Sequence, residues 1–293
     1  MKRLYLLLLC LLVAMSTFAQ NQNKKRPSGY NKQNNENEQF LQKQWWLGFK
    51  AGTNLSDVSV GKSYAVLSPV NYAPSLDGKK YQHFNKLGTQ AALEITFSYR
   101  QISISLQPTY RHASFVYTNQ YEWSDGSNGN NTLQLNYEQE QKIDHAEIPL
   151  VIKYEMGNRK LRPYLQLGGF AAFLINANKS VTVSGTDFAS GGKNEFQDPT
   201  IIVGAKDLFA KNYWGLIAGA GLNYHLGNVR FNLDVMYKYG MSNITSTRNR
   251  YSNDRLSGVG DALDDMKLNN ISISLGCLFP LRFLGSGFKS IDK

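Results

Sequence analysis

Polar and apolar residues alternate with a period of two along most of this chain. The pattern is clearest from Glu147 to Phe173. Ile148, Leu150, Ile152, Tyr154 and Met156 fall on one face, and Glu147, Pro149, Val151, Lys153 and Glu155 on the other. Successive side chains of a strand point to opposite faces, so this run predicts a strand with one apolar and one charged face. Gly157-Asn158 interrupts it, and a second extended run follows from Leu161. The result is a hairpin with about ten residues per arm, enough to cross a bilayer as a tilted strand. A sheet in water shows the same alternation, so the hairpin alone leaves the solvent open.

Seven connections divide the chain from Trp45 onward into eight such segments. Their outward faces carry Leu47, Phe49 and Ala51 in the first, Leu93, Ile95 and Phe97 in the second, and Ile102, Ile104 and Leu106 in the third. The sixth offers Trp214, Leu216 and Ala218, the seventh Phe231, Leu233 and Val235, and the eighth Ile273, Leu275 and Cys277. No outward position is charged, as lipid requires, since Lys or Arg at mid-bilayer on a barrel's outer face costs about 2–4 kcal/mol. The connections alternate long and short, with long ones at Ser56–Lys86, Arg111–Asp144, Asn176–Lys211 and Ile244–Met266. That rhythm belongs to outer-membrane barrels, with short periplasmic turns and long outer loops. Aromatics gather at both strand ends: Trp45, Tyr99, Tyr154, Tyr164 and Tyr224 on the turn side, and Tyr110, Phe173, Trp214 and Tyr239 on the loop side. The expected fold is all-β, an eight-stranded antiparallel up-and-down transmembrane β-barrel with both termini periplasmic. Closure removes the sheet edges. Pro149 lacks a ladder donor, so a local bulge is expected there.

The flanking segments fit export. Lys2-Arg3, the apolar run Leu4–Val13 and the small residues before Gln20 predict a signal peptide over 1–19. Residues 20–44, rich in Asn, Gln and Lys, predict a disordered periplasmic tether. The barrel is expected over 45–283 and a periplasmic tail over 284–293. Beyond the signal, Cys277 is the only cysteine, so no internal disulfide is available. The net charge of +10 is concentrated in the tether, turns and tail. Basicity on that side suits anionic headgroups or an acidic periplasmic protein, and it does not suit nucleic acid, which needs a basic face with stacking aromatics.

The inward positions carry Lys50, Lys153, Arg230 and Lys238 beside Glu94, Glu147, Glu155 and Asp234. An eight-stranded barrel is filled by its own side chains, so these charges predict an ion-paired plug rather than a pore. In the loop Asn176–Lys211, the residues Ile201, Ile202, Val203, Leu208 and Phe209 are too apolar for free solvent. They predict a cap over the barrel mouth or a partner contact. His112, Ser114, Asp144 and His145 lie near the rim, but strand parity turns His145 inward and His112 outward, so no catalytic residue is assigned. Histidine spacing supports no metal site, Gly219-Ala-Gly221 lacks the rest of a nucleotide-binding turn, and no cofactor is expected.

Glu147-Ile-Pro-Leu-Val-Ile-Lys-Tyr154, Arg162-Pro-Tyr-Leu-Gln-Leu-Gly-Gly169, Gly219-Ala-Gly-Leu-Asn-Tyr224 and Asp234-Val-Met-Tyr-Lys-Tyr-Gly240 resemble the PorT-like outer-membrane β-barrel family of Bacteroidota. Gly48-Phe-Lys-Ala-Gly-Thr-Asn-Leu55 is similar to its usual first strand. The resemblance covers Trp46 to Phe283 and implies the bacterial cell outer membrane, lipid contact and a non-enzymatic role accessory to an envelope assembly such as type IX protein secretion. A stand-alone structural or ligand-contacting barrel is the second class of function, and an outer-rim hydrolase or acyltransferase the third.

Overall fold

The computed structural model describes residues 43–64, 78–127, 129–157, 159–226, 229–250 and 262–281. The expected signal peptide and C-terminal tail, and nearly all of the expected tether, lie outside these residues. The described strands are β1 (Lys43–Lys62), β2 (Lys80–Gln82), β3 (Leu87–Tyr99), β4 (Ile102–Leu106), β5 (Thr109–Ser124) and β6 (Thr132–Glu155). They continue with β7 (Leu161–Asp187), β8 (Asn194–Gln197), β9 (Ile201–Gly204), β10 (Asn212–Leu226), β11 (Val229–Gly240) and β12 (Asp265–Pro280).

All pairings are antiparallel, and they close on themselves. β1 pairs β3, which pairs β4 and β5; both pair β6, and β7, β10, β11 and β12 follow in turn. β12 then returns to β1, with Trp46 opposite Pro280 and Leu55 opposite Ile271. Within the closed ring the circuit passes through eight strands, β4 and β5 sharing one place, although twelve strands are described in all.

Proline explains part of the difference from the expected eight. β4 and β5 are collinear: Ile95↔Leu106 and Thr89↔His112 keep one offset against β3, as Leu106↔Leu150 and Thr109↔Glu147 do against β6. Between them, Pro108 on this line and Pro149 on β6, opposite Gln107, each lack an N–H, so rungs are missing and one strand is divided in two. The Gln107 N–H still donates to the Pro149 carbonyl at 2.9 Å. The bulge expected at Pro149 is not there, because Pro149 pairs with Phe170 in unbroken register. The irregularity lies between Asp144 and His145, opposite which β7 carries the extra residue Ile175.

The remaining extra strands, β2, β8 and β9, line a sheet where loops were expected. β5 and β6 pair as far as Ser124↔Thr132, and β6 and β7 as far as Leu133↔Asp187. Beyond Asp144, β6 runs on for about 40 Å at ~3.4 Å per residue. What changes along it is the outward face. The apolar row Tyr154, Ile152, Leu150, Ile148, Ala146 gives way to Asp144, Lys142, Glu140 and Glu138. Period-two alternation persists while its greasy side moves inward, to Ile143 on β6 and to Phe115 and Tyr117 on β5.

Two bands of exposed aromatics bound the apolar outward face: Trp45, Tyr99, Tyr154 and Tyr224 at the turn end, and Tyr110, Phe173, Trp214 and Tyr239 at the other. Tyr164, expected in the first band, is instead buried inside the ring. Its ring lies over Gly221, where a Cβ would stand 2.5 Å from the Tyr164 Cζ. Among the described residues, no helix is long and apolar enough to cross a membrane.

Candidate functional site

Inward-facing positions of the ring bring buried charges together in three tiers. In the middle tier, Glu94 is 0% exposed. It takes Lys50 at 2.5 Å and Lys153 at 2.7 Å, and it accepts hydrogen bonds from Thr96, Ser105 and Asn232. Lys50 also pairs with Asp234. Toward the end where β5, β6 and β7 continue, Glu147 meets Arg111 at 2.8 Å and Lys238 at 2.5 Å, and Tyr213 accepts from Arg111. Toward the turn end, Glu155 meets Arg230 at 3.1 Å and Arg162 at 3.6 Å and accepts from Asn223 at 2.8 Å. The Arg230 guanidinium lies 4.2 Å from the centre of the buried Trp46 ring, an arrangement that favours the cation on the ring face.

The tiers unite all eight charged residues expected to face inward and add Arg111, which falls in an expected long connection, and Arg162. Arg111 was within reach of the alternation, since it continues the inward row Ser105, Gln107, Thr109. A charge held in such surroundings is tolerable only when paired and hydrogen-bonded. Close packing of side chains around the ion pairs depends on glycine at one position: a Cβ on Gly276 would meet the Asn232 Oδ1 at 2.1 Å and the Lys50 Cγ at 2.6 Å.

Above the ion pairs an apolar cluster fills the interior, beside the buried Gln139, Gln141 and Lys179. Leu208 and Phe209 are buried with Phe115, Ile143, Ile244 and Met266. Their segment is tied to the next connection by the Ser246 N–H donating to the Leu208 carbonyl and the Ala210 N–H to that of Ile244. Ile201, Ile202 and Val203 are on β9 beside Lys179–Val181 of β7, with the partly buried Val203 packed against the same cluster. Ile201 and Ile202 are exposed, Ile202 to 70%. The apolar loop residues therefore divide into three in or against the core, Val203, Leu208 and Phe209, and an exposed pair, Ile201 and Ile202.

At the rim, His112 and Asp144 face each other across β5 and β6, with the His112 Nδ1 2.6 Å from the Asp144 Oδ1. His145 is on the inward side, buried against the Tyr213 ring at 5.1 Å. Among the described residues no hydrogen bond joins Ser114 to either histidine, so the four residues do not form a nucleophile, base and orienter. No group of three or more metal-ligating side chains is present among the described residues.

A closed antiparallel circuit with an apolar belt and a paired polar interior defines a barrel-type membrane protein. The chain belongs to the outer membrane protein beta-barrel domain family, whose model matches residues 18–246, and its place is the bacterial outer membrane, in contact with lipid. No curated protein matches it. Among solved structures it is similar to OprG from Pseudomonas aeruginosa (15% identity, 81% of this chain and 95% of that one, TM-score 0.39). It is similar also to Neisserial surface protein A (11%, 80% and 96%, TM-score 0.34). A third is the outer membrane protein AlkL (17%, 89% and 96%, TM-score 0.33).

Proposed function

We propose that this chain is a non-enzymatic, eight-stranded transmembrane β-barrel that carries a raised sheet for docking to an envelope assembly. Its interior is closed by ion pairs, and both chain ends are periplasmic. The PorT-like sequence words point to type IX protein secretion as that assembly. The observation that carries the reading is the continuation of β5, β6 and β7 past the apolar belt as a hydrogen-bonded sheet. A barrel that only spans needs strands of about 9–11 residues, whereas β6 has 24 and β7 has 27. β9 offers a short apolar patch at the side of this sheet, with Ile201 and Ile202 exposed.

Photo-crosslinkers placed at Ile202 and, as a control, at Leu165 on the lipid face test the docking role in native membranes. The Ile202 position is expected to capture a defined envelope protein that Leu165 does not. Capture of lipid alone at both positions would remove the proposal.

The ion-paired interior makes a second expectation. Purified protein in a planar bilayer should show no steady open state, because ion passage would require parting pairs held at 2.5–2.8 Å. Large, sustained conductance from the monomer would refute a closed interior.

A further inference from the structure

At the turn end of the ring, buried polar side chains from four strands meet without satisfying one another. Gln44 and Trp46 come from β1, Asn223 and His225 from β10, Arg230 from β11 and Glu155 from β6, and each is more than nine-tenths buried. All of them point inward. His225 stands opposite Arg230 across β10 and β11. The Trp46 ring meets the His225 ring edge-on at 6.2 Å, and its face carries the Arg230 guanidinium. Glu155 lies 4.0 Å from the His225 Nε2. Arg162 of β7 stands opposite Asn223, and its side chain, 18% exposed, gives the group its contact with solvent.

Donors outnumber acceptors in this group. Glu155 spends its oxygens on Arg230, Arg162 and Asn223. The Arg230 Nε, the Trp46 Nε1, the Gln44 amide and both ring nitrogens of His225 have no partner in the protein. Guanidinium and indole N–H groups only donate, a side-chain amide nitrogen donates twice, and imidazole donates from at least one nitrogen. Against these stand only the Gln44 and Asn223 carbonyl oxygens. An unmatched buried donor destabilises the fold, a charged one most. The group is therefore shaped around an acceptor that the chain itself does not supply.

Charge selects the acceptor. Arg162 and Arg230 against Glu155 leave an excess of positive charge, whether or not His225 is protonated. The middle tier, by contrast, balances Lys50 and Lys153 with Glu94 and Asp234. A buried excess charge is tolerable only when compensated. Metal cations are repelled, and water would meet the N–H groups while leaving the charge. A divalent anion would overshoot the balance. The two rings and the guanidinium are already in contact, so a ligand among them is of atomic size.

We infer that the turn end of the ring binds one halide-sized monovalent anion on the N–H groups of Trp46, Arg230, Gln44 and His225. The anion supplies the missing acceptor and completes the charge balance at that mouth. The site uses nothing from the raised sheet, so it stands or falls independently of the docking role.

Bromide quenching of tryptophan fluorescence tests this on the full chain in a zwitterionic detergent. Gluconate, too large for the group, holds the ionic strength constant. Trp45, Trp123 and Trp214 are exposed, whereas Trp46 is fully buried. Free bromide therefore quenches the first three by collision, without saturation, and only a bound ion reaches Trp46. A saturable component is expected on top of the linear one, reversed by chloride and absent from Trp46→Phe. Arg230→Gln, which cancels the excess charge and leaves Glu155 with Arg162, should remove it. Gln44→Leu should raise the half-saturating bromide concentration about tenfold, the scale of one hydrogen bond to a charged group. Lys160→Gln, which removes an exposed charge at the same end, leaves it unchanged. Heat-modifiable migration on a gel verifies that each variant is folded, and Gln44→Leu decides alone if Arg230→Gln is not. The inference is overturned if quenching is linear throughout, as for water alone in the group, if chloride does not compete, or if saturation is unaltered in the folded variants.

Discussion

Replacing Glu94 by glutamine is expected to lower folding stability by about 3–5 kcal/mol, the usual cost of removing one partner from a buried ion pair. The upper part of that range applies because Glu94 serves two cations, Lys50 and Lys153, each 3% exposed. Glutamine keeps the shape and some of the hydrogen bonds, but leaves Lys153 without the carboxylate at 2.7 Å. Adding Lys153→Met should recover much of the loss, because Lys50 retains Asp234 and the remaining charges balance. Reversible urea unfolding in lipid vesicles, followed by tryptophan fluorescence, measures both variants. A Glu94→Gln protein within about 0.5 kcal/mol of the parent, the range of ordinary surface substitutions, would mean that this carboxylate is neither buried nor paired.

Leu167→Arg is expected to cost about 2–4 kcal/mol in the same experiment, the depth-dependent penalty of arginine at the middle of a barrel's lipid face. Leu167 stands midway along the outward row of β7 and is 67% exposed in the protein alone. That exposure would make an arginine harmless in water. Ser180→Arg, outward on the same strand but past the apolar belt, should change stability by less than about 0.5 kcal/mol. The contrast locates the edge of the hydrocarbon. Equal effects at the two positions would show that the belt does not meet lipid.

The ring was legible because one physical demand, grease outside and polarity inside, repeats on every strand with a period of two. The belt residues of β6 and β11 could be read position by position, and so could the inward charges Glu147, Lys153, Glu155, Arg230, Asp234 and Lys238. Past Asp144 the same alternation continues, but water replaces lipid outside and the apolar side turns inward. A reading keyed to an outward apolar face therefore stops at the belt and takes β5, β6 and β7 beyond it for loops. Arg111, one residue past the expected end of its strand, was lost for that reason. The extra residue Ile175 adds a second difficulty. It shifts the inward row on β7 from Phe170 and Ala172 to Ala177 and Lys179, and no glycine or proline marks the change. Tyr164 was misplaced because an aromatic near a strand end suits either an interfacial band or a glycine-lined interior, and only the partner strand's Gly221 distinguishes them.

The seam between β1 and β12 has a consequence for biogenesis. Trp46 meets Pro280 there, so the chain must be synthesised at least as far as Pro280 before the last rungs can form. Contacts between residues so distant in sequence form late and slowly, because the entropy of joining the ends is spent first. A product ending before Asp265 would leave β1 and β11 each with a bare edge, in a place where unsatisfied backbone groups cannot be hydrated. Insertion should therefore be all-or-none, with truncated chains diverted to degradation instead of accumulating as partial cylinders.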